Sequence, residues 1–307
     1  MKKFVLIFLV FVFTLFNKMS AQQKDTIPEE DLLNLSLEEL MQFNVYSTRA
    51  FERKTPVVFT NIDNEYINEM HTVEDIPMLL TEIPNTFAYS DAGSMMGYSH
   101  LKVRGFSMQR QGVMINGIPQ NDPEDQLVIW VDMPDLASSI ENIQFQRGVG
   151  SSLYGASTFS GSLNVLTSTE KDEKYEVSIF GGSYNTQKMG VKLSKPLLDD
   201  KLILQVRLSE LSSDGYRERS DSKQWAYFFS LNWIGEKSLI KFNAFGGNEV
   251  CHASWNPSPE SELKENRKHN SIDYKNTVDN FTQPHFDLHH TYFFNESLTW
   301  KNTLFYI

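Results

Sequence analysis

The run Gly148-Val149-Gly150-Ser151-Ser152-Leu153-Tyr154-Gly155 has the glycine density of a loop that cradles phosphate with backbone N–H groups. The dinucleotide pattern needs glycine where Leu153 stands, and the nucleoside-triphosphate loop needs lysine where Ala156 stands. A structural glycine turn is the reading that remains. His252, His285, His289 and His290 are of the type that ligates zinc. On an extended strand, however, His285 and His289 share a face with Asp287, while His290 falls opposite with Leu288 and Tyr292. A polar interior accounts for His285, Asp287 and His289 without a metal. Asp122, Glu124 and Asp125 cluster after Pro119, but the calcium-loop spacing with its central glycine is missing, so a solvated acidic loop is expected. Cys251 is the single cysteine, which excludes an intramolecular disulfide and any cysteine-rich metal site. No paired acid and base, Ser-His-Asp or Cys-His arrangement has a supporting context. The sequence therefore predicts no catalytic residue, no metal, no cofactor and a protein that is not an enzyme.

The elements that would position these residues belong to an exported chain of 307 residues. Its 28 Lys+Arg against 39 Asp+Glu give a net charge of -11, which argues against nucleic acid as a partner. The 40% apolar content lies below the usual range and excludes a bundle of transmembrane helices. It leaves open a membrane β-barrel, whose strands alternate apolar with polar residues. Lys2 and Lys3, the apolar run over 4–16 and Met19-Ser20-Ala21 form a signal peptide cleaved after Ala21.

Residues 22–56 read as an N-terminal extension. It carries a short helical signal around Leu32 to Met41 and then the β-prone stretch Phe43-Asn44-Val45-Tyr46-Ser47-Thr48. Such a stretch can add a strand to a partner's sheet, and a disordered leader is the alternative. Residues 57–169 have the texture of a compact α/β unit. Strands are expected at 57–60, 101–104, 113–116 and 143–145, with a helix over 72–80 and a short one over 134–140. Glycines punctuate the turns, among them Gly105, Gly117, Gly148, Gly155 and Gly161.

From residue 170 the period becomes two. Leu202, Leu204, Val206 and Leu208 alternate with Lys201, Gln205, Arg207 and Ser209, with Ile203 the one apolar residue on the polar side. Trp225, Tyr227, Phe229, Leu231 and Trp233 repeat the pattern. Such lengths suit strands that span a membrane, with aromatics at their ends. Segments 174–182, 186–194, 201–210, 224–234, 238–248, 283–294 and 297–307 read as strands, an odd set that should not close by itself. Short joins at 196–200, 235–237 and 295–296 alternate with long ones at 211–223 and 250–283, as periplasmic turns and outer loops do; the join at 182–185 breaks the rule by being short. The alternation is still running at Ile307, so the sequence reads as the front part of a longer chain.

Residues 102–167 resemble the plug domain of TonB-dependent outer-membrane receptors. The resemblance rests on Val103-Arg104-Gly105-Phe106, on Gly112-Val113-Met114-Ile115-Asn116-Gly117-Ile118-Pro119 and on Ser139-Ile140-Glu141-Asn142-Ile143-Gln144-Phe145-Gln146-Arg147-Gly148. It continues through Ser152-Leu153-Tyr154-Gly155 to Gly161-Ser162-Leu163-Asn164-Val165-Leu166. Asn116 stands where the family usually has Asp, and Val149-Gly150 where proline and a small residue are common.

The resemblance implies an α+β plug domain followed by antiparallel transmembrane β-barrel strands, the first of about twenty-two. It implies energy-coupled uptake of a scarce nutrient, a ferric-siderophore-type chelate foremost, with cobalamin or a glycan as other choices. A non-transporting outer-membrane binding protein or a truncated remnant is the alternative. The partners would be TonB with its inner-membrane energising complex, outer-membrane lipid and the small nutrient ligand. The TonB-box candidate is Phe43, Asn44, Val45, Tyr46, Ser47, Thr48 and Arg49, with Asp25-Thr26-Ile27 competing. Arg104, Glu141 and Arg147 would dock the plug on charged residues of the barrel wall, Glu141 on Lys201 or Arg207.

Overall fold

A computed structural model of the chain describes residues 49–149, 158–295 and 298–307. The signal peptide, the TonB-box candidate through Thr48, and Gly155 lie outside the described residues. Strand β1 (Val58–Asp63) runs directly into helix α1 (Asn64–Met70) because the Asp63 carboxylate accepts the Tyr66 N–H at 3.0 Å and caps the first turn. The helix expected over 72–80 is confined to α2 (Ile76–Leu79). Pro77 suits its first turn, whereas Glu74 folds back to accept the N–H groups of Thr72 at 2.6 Å and Val73 at 3.0 Å. Those local bonds make 72–75 a turn.

The hairpin of β2 (Thr86–Ser90) and β3 (Ser99–Val103) precedes β4 (Gln111–Ile115), β5 (Ile118–Pro119), β6 (Ile140–Arg147) and β7 (Gly161–Thr167). A five-stranded sheet forms in the order β1-β6-β7-β4-β5, with β4 and β7 parallel and the other pairs antiparallel. Every residue of β7 is buried. Its polar residues Ser162 and Asn164 are buried along with Leu163 and Val165, because the strand is covered on both faces. Ile62, Ile67, Leu80, Leu101, Ile143, Phe145 and Leu163 centre the core, and Phe228 and Phe245 of the following sheet reach into it. The helix expected over 134–140 is a 3-10 turn at Leu136–Ser139.

The wall consists of β8 (Lys174–Gly182), β9 (Thr186–Leu197), β10 (Leu202–Ser213), β11 (Ser222–Ile234), β12 (Ser238–His252), β13 (Val278–Thr282), β14 (His285–Asn295) and β15 (Leu298–Tyr306). Neighbours pair antiparallel in the order β15-β14-β12-β11-β10-β9-β8, and β13 pairs with the outer part of β12. The alternation signal does not separate β13 from the loop, because it is only five residues long and all but Asp279 are exposed. Apolar residues of the wall face outward: Tyr175, Val177, Ile179, Met189 and Val191 are exposed while Lys188, Ser194, Gln205, Arg207, Ser230, Asn232 and Asn243 are buried against the plug. That reversal of the soluble pattern is the signature of a membrane barrel. Within the described residues β8 and β15 are open edges, so the sheet is part of a barrel. No helix among these residues is long and apolar enough to cross a membrane.

Gly247 shows how closely plug and wall fit. A Cβ there would overlap the Trp225 carbonyl oxygen and come within 2.6 Å of Pro134 Cγ on the plug.

Candidate functional site

The residue that gathers the most chemistry is Asp135, which the sequence reading did not single out. Its backbone takes a left-handed turn (φ 50°) just before the 3-10 turn, and its side chain is fully buried. Lys188 Nζ on β9 donates to Oδ1 at 2.7 Å, and Arg207 Nη1 on β10 donates to Oδ2. Ser138 Oγ donates to Oδ1 at 2.7 Å and Ser209 Oγ to Oδ2 at 2.6 Å. His71 Nε2 stands 3.2 Å from Oδ1. Lys188 also donates to the Thr72 carbonyl at 2.9 Å, and Arg207 Nε donates to Ser139 Oγ at 2.7 Å.

Two segments of the plug, 71–72 and 135–139, thus meet two wall strands around one carboxylate. Burial alone would raise the Asp135 carboxyl, but Arg207, His71 and Lys188 hold it well below the ordinary carboxylate range. Burial opposes ionisation of Glu74 too, yet the His71 ring and the Thr72 donors keep its carboxyl at about 2. A cavity of about 260 Å³ adjoins the cluster, lined by His71, Ser138, Ser178, Phe180, Lys188 and Arg207 among others.

A second contact lies on the opposite part of the wall. Asn116 and Gly117 take left-handed angles (φ 52° and 79°) in the tight turn between β4 and β5. The Asn116 Oδ1 accepts the Thr167 N–H at 3.0 Å, while its Nδ2 donates to Asp287 Oδ2 at 3.1 Å on β14. Asn243 Nδ2 donates to the other oxygen of Asp287 at 2.6 Å, and His289 Nε2 is 3.4 Å from it. The departure from Asp at 116 therefore has a physical reason, since an amide can donate to Asp287 and a carboxylate cannot. Lys241 on β12 donates to Thr169 Oγ1 at 2.9 Å, closing the plug's exit onto the wall.

The residues expected to dock the plug occupy different surroundings. Arg207 is committed to Asp135, so it is not the partner of Glu141; the charge of Glu141 bears on Lys241 instead. Arg147 turns back onto the plug: its Nε donates to the Pro84 carbonyl at 3.2 Å, its Nη2 to Thr60 Oγ1, and its guanidinium lies over the Phe145 ring. Arg104 is exposed and left-handed (φ 52°), and a Cβ on Gly148 would come 3.1 Å from its Nη1. Gly105 and Gly148 hold positive φ (82° and 92°). Gly161 is needed for closeness, because a Cβ there would meet the Gln146 carbonyl at 2.9 Å.

Arg49 and Ala50 rest on a row of amides along β6. Gln144 Oε1 accepts the Ala50 N–H at 2.6 Å and its Nε2 donates to the Ala50 carbonyl at 2.9 Å, so one side-chain amide pairs with the peptide as a strand would. Arg49 Nη2 donates to Asn142 Oδ1. Of the histidines considered for metal, His285 stacks on Phe245 at 4.6 Å and His289 faces Asp287, while His252 pairs with Asp221 at 3.0 Å. Among the described residues no group of three His, Cys, Asp or Glu could hold a metal ion.

A plug held by buried polar contacts against a sheet with apolar residues outside and polar residues inside has the architecture of a plugged β-barrel. Residues 52–162 match the family described as TonB-dependent Receptor Plug Domain, and the described residues have the fold of a plug followed by the first strands of a barrel. Over 106 residues the chain is 26% identical to the metal-pseudopaline receptor CntO of Pseudomonas aeruginosa, a match covering 34% of this chain and 15% of that protein. Its fold superposes on the ferric-catecholate import receptor Fiu of E. coli K12 with a TM-score of 0.65 at 17% identity, covering 83% of this chain and 37% of that one. The P. aeruginosa receptor FpvA bound to heterologous pyoverdines gives a TM-score of 0.64 at 15% identity, covering 83% of this chain and 34% of that one. The chain thus spans about a third of the length of these solved structures.

Proposed function

We propose that this chain supplies the plug and first wall strands of an energy-coupled outer-membrane receptor that imports a scarce metal chelate of the ferric-siderophore kind. The observation that carries the reading is the buried network at Asp135, where Lys188 and Arg207 of the wall close on one plug carboxylate beside a 260 Å³ cavity. Ionic contacts fix one docked position, yet they can be exchanged for water when the plug is pulled, which a continuous hydrocarbon seam resists. The likeness to receptors for metal-pseudopaline, ferric catecholates and ferric pyoverdines supports the substrate class.

In this reading TonB takes the extended segment Phe43 to Arg49 by strand addition, and the amides of Gln144 and Asn142 hold its neighbouring residues until then. Lipid covers Tyr175, Val177, Ile179 and their row. Arg104, exposed on the plug, would meet the remainder of the barrel wall, Arg147 braces the plug from within through Pro84 and Thr60, and Glu141 serves the docking through Lys241. The outer end, where the plug hairpin and the long loops meet, receives the chelate. Exported by its signal peptide, the protein resides in the outer membrane. Deleting the gene should slow growth under iron limitation, and a plasmid copy should restore growth only in cells that have TonB. Unimpaired growth of the deletion strain on every supplied chelate would instead support a non-transporting binding protein.

A further inference from the structure

Arg217, in the loop joining β10 to β11, makes an unusual set of contacts. Its guanidinium is spent on backbone oxygens of other segments rather than on a salt bridge. Nη1 donates to the Ser254 carbonyl and, at 3.4 Å, to the Asp91 carbonyl. Nη2 donates to the Asn256 carbonyl at 2.9 Å, to the His269 carbonyl at 3.3 Å and to Ser258 Oγ at 3.1 Å. The N–H groups of Tyr216 and Arg217 both point at the Ala92 carbonyl, at 3.0 and 3.4 Å. Gly93 is required at this junction, since a Cβ there would lie 3.1 Å from Tyr216 Cβ.

One side chain therefore satisfies carbonyls from the plug apex and from both arms of the outer loop 253–277. Losing it would leave several carbonyl acceptors on three segments without this donor at once. The far side of the same loop is tied separately by Asn270, whose Nδ2 donates to the carbonyls of Glu218, Arg219 and Ala253 at 2.9, 3.2 and 3.0 Å without touching the plug.

Building on the receptor reading, we propose that Arg217 is a positioning residue that joins outer loop 253–277 to plug apex 90–98, so that the two open and close as one unit. A ligand that orders the loop would then be felt by the plug without touching it, because coupling requires only a shared element with two arrangements.

Hydrogen exchange on the full-length protein in detergent tests this with no ligand, so the result stands even if the receptor reading fails. Asn270→Ala loosens the loop by removing bonds that do not involve the plug. In the otherwise native protein it should also quicken exchange of the Asp91 N–H, which is bonded to the Tyr98 carbonyl at 2.9 Å, by about fivefold or more, a local opening event. In an Arg217→Gln background the same Asn270→Ala change should quicken the Asp91 N–H much less, the Tyr98–Trp255 ring contact at 5.2 Å being the link that is left, while amides of β10 and β11 stay protected in every variant. Faster loop exchange with unchanged Asp91 exchange in the native background would overturn the proposal. An equal Asn270→Ala increment with and without Arg217 would overturn it as well, since additivity means the coupling does not run through that side chain.

Discussion

Lys188 Nζ on the wall lies 2.7 Å from Asp135 Oδ1 in the plug, in a site where both side chains are almost wholly removed from solvent. Arg207 closes on the same carboxylate from the next strand, so two cations of the barrel share one anion of the plug.

Asp135→Asn keeps the shape and removes the charge, leaving Lys188 and Arg207 buried against an amide. Breaking a buried pair in this way costs about 3–5 kcal/mol. The docked plug should loosen at 71–75 and 133–139, read as faster amide exchange and earlier protease cleavage there. Because the folded Asp135 carboxyl lies below its unfolded value of about 3.9, its contribution is complete above that pH and fades only as pH falls further. Acidification from pH 7 to pH 5 should therefore leave this contact intact.

Asp132 should respond in the opposite sense. Burial, then the charges of Glu249 and Asp279, push its carboxyl up to about 7. The folded protein holds that proton between about pH 4 and pH 7 while the unfolded chain has released it, so stability falls as pH rises through this window. Protection of 128–133 should be greater at pH 6 than at pH 8 after correction for intrinsic exchange. Asp132→Asn should flatten that dependence.

Asn116→Asp would set a carboxylate against Asp287 Oδ2, 3.1 Å from the present amide nitrogen. Two buried carboxylates in contact cannot both ionise. The variant should lose plug protection near 114–119 at neutral pH and regain much of it near pH 5, as measured by hydrogen exchange. Equal protection at both pH values would contradict the contact.

Gln144→Leu removes both bonds to the Ala50 peptide while keeping an apolar stem in the sheet. The segment around Arg49 and Ala50 should be cut more readily by trypsin, with the plug core unaffected. A cleavage rate equal to wild type would mean that Gln144 does not hold the segment.

The wall was legible because its signal is periodic and its inward face polar. Strands β8 to β12, β14 and β15 begin and end close to where alternation starts and stops, and the parity that placed His285, Asp287 and His289 together is the parity that buries them. The plug motifs located its turns, yet β7 and α1 escaped notice, the one short and lying within a glycine-flanked motif and the other set by a single cap at Asp63. Asp135 was hidden for a different reason. It lies between Pro134 and a 3-10 turn, as any surface loop acid might, and only the register that brings Lys188 opposite Leu211 on β10 places two wall cations above it. A signal existed in Lys188 and Arg207, basic residues on the inward face of adjacent strands, where an acid of the plug had to answer them. Sequence motifs drew attention to Arg104, which is exposed, and to Arg147, whose side chain bonds within the plug itself.

The central claim is that the protein imports a metal chelate by TonB-driven displacement of its plug. The most direct test is accumulation of iron-55 from a ferric siderophore by cells whose outer membrane carries the full-length protein as the sole receptor, with TonB present or deleted. The account predicts accumulation with TonB and none above background without it. Equal accumulation in both strains, or none in either with any of a panel of ferric catecholates, hydroxamates and citrate, would contradict it.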